Sequence, residues 1–200
     1  MFALTVDQVD SRHADDRVEA ALGQVATIIG DRAILAPERT AGDEFQLLLN
    51  DADLALDVIL DLTRRGEWSV GLGVGAVDEP LPTSTRAARG EAFLSARDAV
   101  ERAKTVPEHV AVEVAEDRRL RSSDVDPLVA QAVRTRARRS DEGWELADLL
   151  RAGHSRVDAA RILGITPQAV AKRFGAAELR SDDAVRAALV RLLTEADQPA

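Results

Sequence analysis

AILAPERTAGDEFQLLL (Ala33–Leu49) holds two apolar runs separated by a polar turn. Ala33–Ala36 reads as a strand ended by Pro37, and Phe45–Leu49 as a second strand closed by Asn50-Asp51. On either side of this hairpin the apolar period changes. Upstream, Val18, Ala21, Leu22, Val25, Ile28 and Ile29 recur at three and four, which predicts an amphipathic helix from Asp15 to Gly30-Asp31. Downstream, Leu54, Ala55, Val58, Ile59 and Leu62 form a second helix face, ended by Gly66. Beyond these helices lie the short apolar strand Phe2–Val6 and the glycine-rich strand SVGLGVGAV (Ser69–Val77). A third helix face (Ala92, Phe93, Ala96, Ala99, Val100, Ala103) and the alternating Val110, Val112 and Val114 follow. The order is therefore β-α-β-β-α-β-α-β. Its first six elements make the split βαβ unit of a ferredoxin-like fold. Residues 1–117 are expected to form one α+β domain, with helices packed on a mainly antiparallel sheet.

Composition agrees with a chain that folds on its own core. With 46% apolar and 30% charged residues the balance is globular, and 200 residues suffice for a sizeable core. Having no Cys, the chain carries no disulfide framework, zinc finger or thiol nucleophile, and its three His are too scattered for a local metal motif. No apolar run approaches the roughly 18 residues of a membrane span. MFALTVDQVDSRHADD lacks a secretory pattern, so a cytoplasmic protein is expected.

The net charge of −9 is unevenly spread: residues 1–117 carry 11 basic and 23 acidic side chains, and residues 118–200 carry 15 and 12. An acidic front half and a mildly basic back half suggest two jobs. RRLRSSDVD (118–126) reads as a linker. Asp126-Pro127 reads as a helix start, and the helix carries an apolar stripe of Leu128, Val129, Ala132 and Val133. Residues 143–200 are expected to be wholly helical, within a helical DNA-binding domain of residues 127–200.

Within them, RVDAARILGITPQAVAKRFG (Arg156–Gly175) has the spacing of a helix-turn-helix. Ala160 is small where two helices cross, Gly164 tolerates the turn, and Val170 faces inward on the second helix. Ile165 fills the gap, and Thr166 caps the second helix with Pro167 at its first position. Thr166, Gln168, Ala169, Lys172 and Arg173 then form an exposed face suited to DNA: amide to adenine, methyl to thymine, cations to phosphate or guanine. Leu146, Leu149 and Leu150 fit a supporting helix. Ser181 caps a last helix, with Asp182 and Asp183 in its first turn and Val185, Leu189, Leu192 and Leu193 inside. A homodimer on double-stranded DNA is expected, using Leu128, Val129, Ala132 and Val133. An ordinary helical hairpin with solvated charges is the plainer alternative.

In the front half, Asp7 follows the first strand, and Asp43-Glu44 lies in the turn before the strand that neighbours it in a split βαβ sheet. Converging carboxylates raise one another's pKa unless a cation sits between them, so Asp7, Asp43 and Glu44 are a candidate Mg²⁺ set that would also engage phosphates. The turn and cap readings stand beside it: Asp10-Ser11 as a helix cap, Gly42-Asp43 as turn chemistry, Arg39 with Glu44 as a surface pair, and Gly71, Gly73 and Gly75 as room for a close-packed helix. There is no Ser-His-Asp set and no P-loop.

These residues carry a resemblance. ERTAGDEFQLLL (Glu38–Leu49) resembles the central hairpin of diguanylate cyclases and, more loosely, of class III nucleotidyl cyclases. Val70–Gly75 resembles a glycine-rich strand of those enzymes, and ARDAVERAK (Ala96–Lys104) the helix after it, ending in a Lys. ALTVDQVDSR, TAGDEFQ and GLGVG together, in that order and ahead of a helix-turn-helix, resemble the SatD family. The resemblance covers nearly all of residues 1–104 and implies a cyclase-like palm domain, with Arg12, Gly42 and Lys104 as candidate nucleotide-binding residues. The sequence departs from true cyclases where Gln8, Val9 and Asp10 follow Asp7 without a Phe-Lys pair, and where Ala41-Gly42 replaces paired glycines. The expected function is a DNA-binding transcriptional regulator whose front domain senses a ligand, such as a nucleotide, or dimerises. The alternative is a divergent metal-dependent nucleotidyl cyclase or nucleotide-processing enzyme with a DNA-binding tail.

Overall fold

The computed structural model describes residues 1–200. It is an α+β structure of five strands and eight α-helices. The strands are β1 (Phe2–Gln8), β2 (Leu35–Ala41), β3 (Glu44–Leu49), β4 (Trp68–Val74) and β5 (Val110–Val114). Helix α1 (Val18–Ile29) joins β1 to β2, α2 (Ala52–Leu62) joins β3 to β4, and α3 (Glu91–Ala103) joins β4 to β5. Five helices follow: α4 (Ser122–Ala137), α5 (Asp141–Arg151), α6 (Arg156–Leu163), α7 (Pro167–Ala176) and α8 (Leu179–Ala196). No helix is long and apolar enough to cross a membrane.

The sheet order is β2-β3-β1-β4-β5. All pairs are antiparallel except β4 with β5, which are parallel because α3 carries the chain back across the sheet. Alternation gives β1 two different faces. Phe2, Leu4 and Val6 enter a core of 32 buried residues shared with α1 and α2. Ala3, Thr5 and Asp7 lie on the other face, which α3 covers. Here Gly71 and Gly73 let the α3 backbone approach β4 more closely than any side chain would allow. This favours the packing reading of the alternating glycines over a ligand loop.

Three expectations about element ends are corrected. Pro37 does not end β2, which runs on to Ala41. The strand lies at the sheet edge, where a missing N–H is tolerated, and its register is irregular between Leu35 and Glu38. Helix α4 starts at Ser122, not at Asp126-Pro127. Asp124 accepts from the Arg121 N–H at 2.8 Å and fixes the start, while Asp126 accepts from the Val112 N–H at 2.7 Å and pairs with Arg102 at 3.0 Å. Ser181 does not cap α8. Glu178, in a left-handed conformation, precedes the helix, and the Ser181 hydroxyl donates to its carbonyl.

The supposed linker is built into the structure. Residues 122–126 belong to α4, and the Arg118 guanidinium donates to the Asp197 carbonyl at 3.0 Å. Helices α4 and α8 complete the large core: Val125, Val129, Ala132 and Val133 pack with Leu189, Leu193 and Ala196 against the α1/α2 side of the sheet. The stripe expected to dimerise is therefore spent inside the chain, and of its four residues only Leu128 is exposed. Val185, expected inside, is exposed as well. Helices α5–α7, with Ala177 and with Leu179 at the start of α8, form a separate small core of Trp144, Leu146, Ala147, Ala159, Ala160, Val170, Ala177 and Leu179.

Candidate functional sites

Two places gather the residues singled out in the sequence. The first is the C-terminal end of β1. The register sets Asp7 opposite Glu44 on β3 and opposite Ser69 on β4, so the three lie side by side across the sheet. Asp43 is one residue further, its carbonyl accepting from the Gln8 N–H at 3.3 Å. Lys104, just past the end of α3, places Nζ 3.1 Å from Asp7 Oδ2 and 2.8 Å from Glu101 Oε1. His109, at a positive φ of 51°, brings Nδ1 within 3.4 Å of Ser69 Oγ. Asp7, Arg12, Ser69, Lys104 and His109 line a cleft of about 270 Å³.

Burial raises the Asp7 pKa above the ordinary aspartate value of 3.8; Lys104 partly offsets this, and Asp43 and Glu44 add to it. For Lys104, burial pulls downward, but its hydrogen bonds to Glu101 and Asp7 leave it raised. The Lys104 ammonium thus places a positive charge beside Asp7. No group of three His, Asp or Glu side chains is arranged to hold a metal. Glu44 turns toward the Thr40 hydroxyl. Gly42 sits at the hairpin tip with φ +54° and is not part of the cleft, so of the three expected nucleotide-binding residues the cleft holds Arg12 and Lys104. Arg39 pairs with Asp16, not Glu44. Ser69 and His109 were missed because only sheet register brings them to Asp7.

A folded pKa above the unfolded one means that stability from Asp7 is present below pH 3.8 and is lost as pH rises through the folded value. Asp7→Asn removes that component. Melting curves of the two proteins across acid to neutral pH are expected to diverge, the wild type losing more stability; parallel pH profiles would contradict the burial argument.

The second place is the α6–α7 pair. The Ser155 hydroxyl accepts from the Asp158 N–H and starts α6. Gly164 ends it at φ 65°, ψ 30°, a left-handed turn open to glycine. The Thr166 hydroxyl accepts from the Ala169 N–H at 3.2 Å, and Pro167 is the first residue of α7. Ala160 and Val170 are buried where the helices cross. Helix α5 closes the trio through Trp144, Leu146 and Ala147; Leu149 and Leu150 are only partly buried. Thr166, Gln168 and Lys172 are exposed and Ala169 is half-buried. Arg173 is drawn toward Glu145 on α5, at 3.4 Å. Helix α7 contains two basic residues and no acidic one. No protein-family model matches the chain, and neither the curated proteins nor the solved structures yield a match.

Proposed function

We propose that this protein is a DNA-binding transcriptional regulator. On this reading its front half is a ferredoxin-like, cyclase-palm domain of SatD type, and α5–α7 are a helix-turn-helix unit with α7 as the reading helix. The observation that carries the reading is the α6–α7 joint: a left-handed Gly164, a capped α7, buried Ala160 and Val170, and Gln168 and Lys172 left free on the outer face of a helix without acids. The strand order β2-β3-β1-β4 agrees with the ferredoxin-like part. The cleft at Asp7 offers cationic, hydroxyl and carboxylate groups to a polar effector, which gives the front domain a sensing role. A second copy of the chain would supply contact to a second half-site.

Gln168 and Lys172 are exposed, so their removal spares folding. Lys172→Ala is expected to weaken binding to all duplexes alike and to reduce the salt slope by about one. Gln168→Ala is expected to relax preference at one base pair, at a cost of roughly 1–3 kcal/mol. Fluorescence anisotropy on specific and mixed-sequence duplexes separates the two. Loss of binding from neither substitution would rule out α7 as the reading helix.

A further inference from the structure

A groove of about 550 Å³ runs beside α7, between it and the junction of α4 with α5. Its lining includes the small residues Gly143, Ala169 and Ala176. Lys172 and Arg173 form one wall. Arg138, the residue that ends α4, reaches the same groove from outside the helix pair. Arg138 is exposed, as is Lys172, and neither side chain has an ion-pair partner within the chain, whereas most arginines here do. The only carboxylate lining the groove is Glu142; Glu145, further along α5, pairs with Arg173, and Asp141 lies in the exposed first turn of α5.

We infer that this groove carries one strand of the DNA backbone, with Arg138 as a phosphate-contacting residue alongside Lys172 and Arg173. The inference rests on the DNA-binding reading and extends it to a residue 18 positions before that helix pair begins. Two cations without an ion-pair partner, Arg138 and Lys172, with Arg173 beside them and one lining carboxylate, suit a polyanion, and the small residues in the lining leave no bulky side chain in the way of a phosphodiester chain. Arginine, with its fixed fork of donors, is well matched to phosphate oxygens. With the reading helix in the major groove, backbone contacts at its flank set orientation without adding sequence preference. Glu142 works against phosphate: its own backbone N–H and Ser140 hold its pKa down, so it stays ionised at neutral pH.

The test is equilibrium binding of the full chain to a short fluorescein-labelled duplex of mixed sequence, over a salt series, with circular dichroism melting as a check on folding. Arg138→Gln is expected to weaken binding roughly five- to tenfold near ~0.1 M salt and to reduce the salt slope by about one, without changing the melting temperature. Glu142→Gln is expected to act in the opposite direction and strengthen binding. If the unsubstituted chain fails to bind duplex at low salt, the DNA reading falls and this inference with it. If that chain binds but Arg138→Gln keeps its affinity and slope, or Glu142→Gln does not tighten binding, the groove assignment alone is overturned.

Discussion

Gly73→Ala will destabilise this protein by about 3 kcal/mol or more, above the ~1–3 kcal/mol usual for an overpacked core. A Cβ at Gly73 would lie 2.0 Å from the Ala92 carbonyl oxygen and 2.3 Å from the Ala96 nitrogen. Both are backbone atoms of α3, so no flexible side chain can yield, and the whole helix must lift from β4. Gly71 meets the same helix one turn later, 2.2 Å from the Val100 nitrogen, and Gly71→Ala is expected to behave alike. Helix α3 presents Ala92 and Ala96, both fully buried, to Gly73, so the contact at this point is small against small. The control is Gly23, exposed in α1 with nothing within 4 Å of its added Cβ. Gly23→Ala should stabilise by roughly 0.5–1 kcal/mol, because alanine loses less backbone freedom in a helix. Urea unfolding of the three variants checks the sign and the order. A Gly73→Ala protein as stable as Gly23→Ala would show that α3 is not seated as described.

Asp182→Ala will be the second large loss. Arg136 and Arg139 are both buried, and both turn to the Asp182 carboxylate, at 2.9 Å and 3.2 Å. Arg139 gains a second acceptor in the Ala177 carbonyl, but the buried Nε of Arg136 and Nη1 of Arg139 have no partner. The Trp144 ring lies against this pair, with guanidinium carbons 5.3 Å and 4.5 Å from its centroid, and Arg64 stacks on it at 4.1 Å while gripping Asp148. Burial lowers the Arg136 pKa, Asp182 opposes that, and Arg151 and Arg139 add to it. Removing the carboxylate leaves two buried cations with no counter-charge, which costs about 3–5 kcal/mol. Asp183, the exposed neighbour without an ion pair, is the control, and Asp183→Ala is expected to change stability by less than about 0.5 kcal/mol. Equal melting temperatures for the two alanine variants would contradict a shared buried charge at Asp182. This cluster also joins the α5–α7 unit to the sheet domain, because Arg64 belongs to the turn after α2.

Much of the sheet domain could be read from local pattern. Periods of three and four marked α1, α2 and α3, and the split pairing foretold that Asp7 would neighbour the Asp43-Glu44 turn. Local pattern failed where the outcome is decided across the chain. Pro37 reads as a strand end, yet an edge strand accepts it. Asp126-Pro127 reads as a helix start, but Asp126 is recruited by Arg102 and the Val112 N–H, and Asp124 takes over the start. The charge change near residue 118 marks a difference in composition, not in packing: α4 and α8 lie beyond it and still complete the front core. In the cleft, Lys104 was legible as a helix-end lysine, while Ser69 and His109 join Asp7 through sheet register alone. The glycine-rich strand supported two readings, and only the distance to the α3 backbone favours packing.

The measurement that bears most directly on the central claim is a selection of duplexes from a random-sequence pool by the purified 200-residue chain at moderate salt. The account predicts enrichment of a defined site, lost when Gln168 and Lys172 are both replaced by Ala while the protein still melts as the wild type does. Recovery of a pool no different from the input would contradict it.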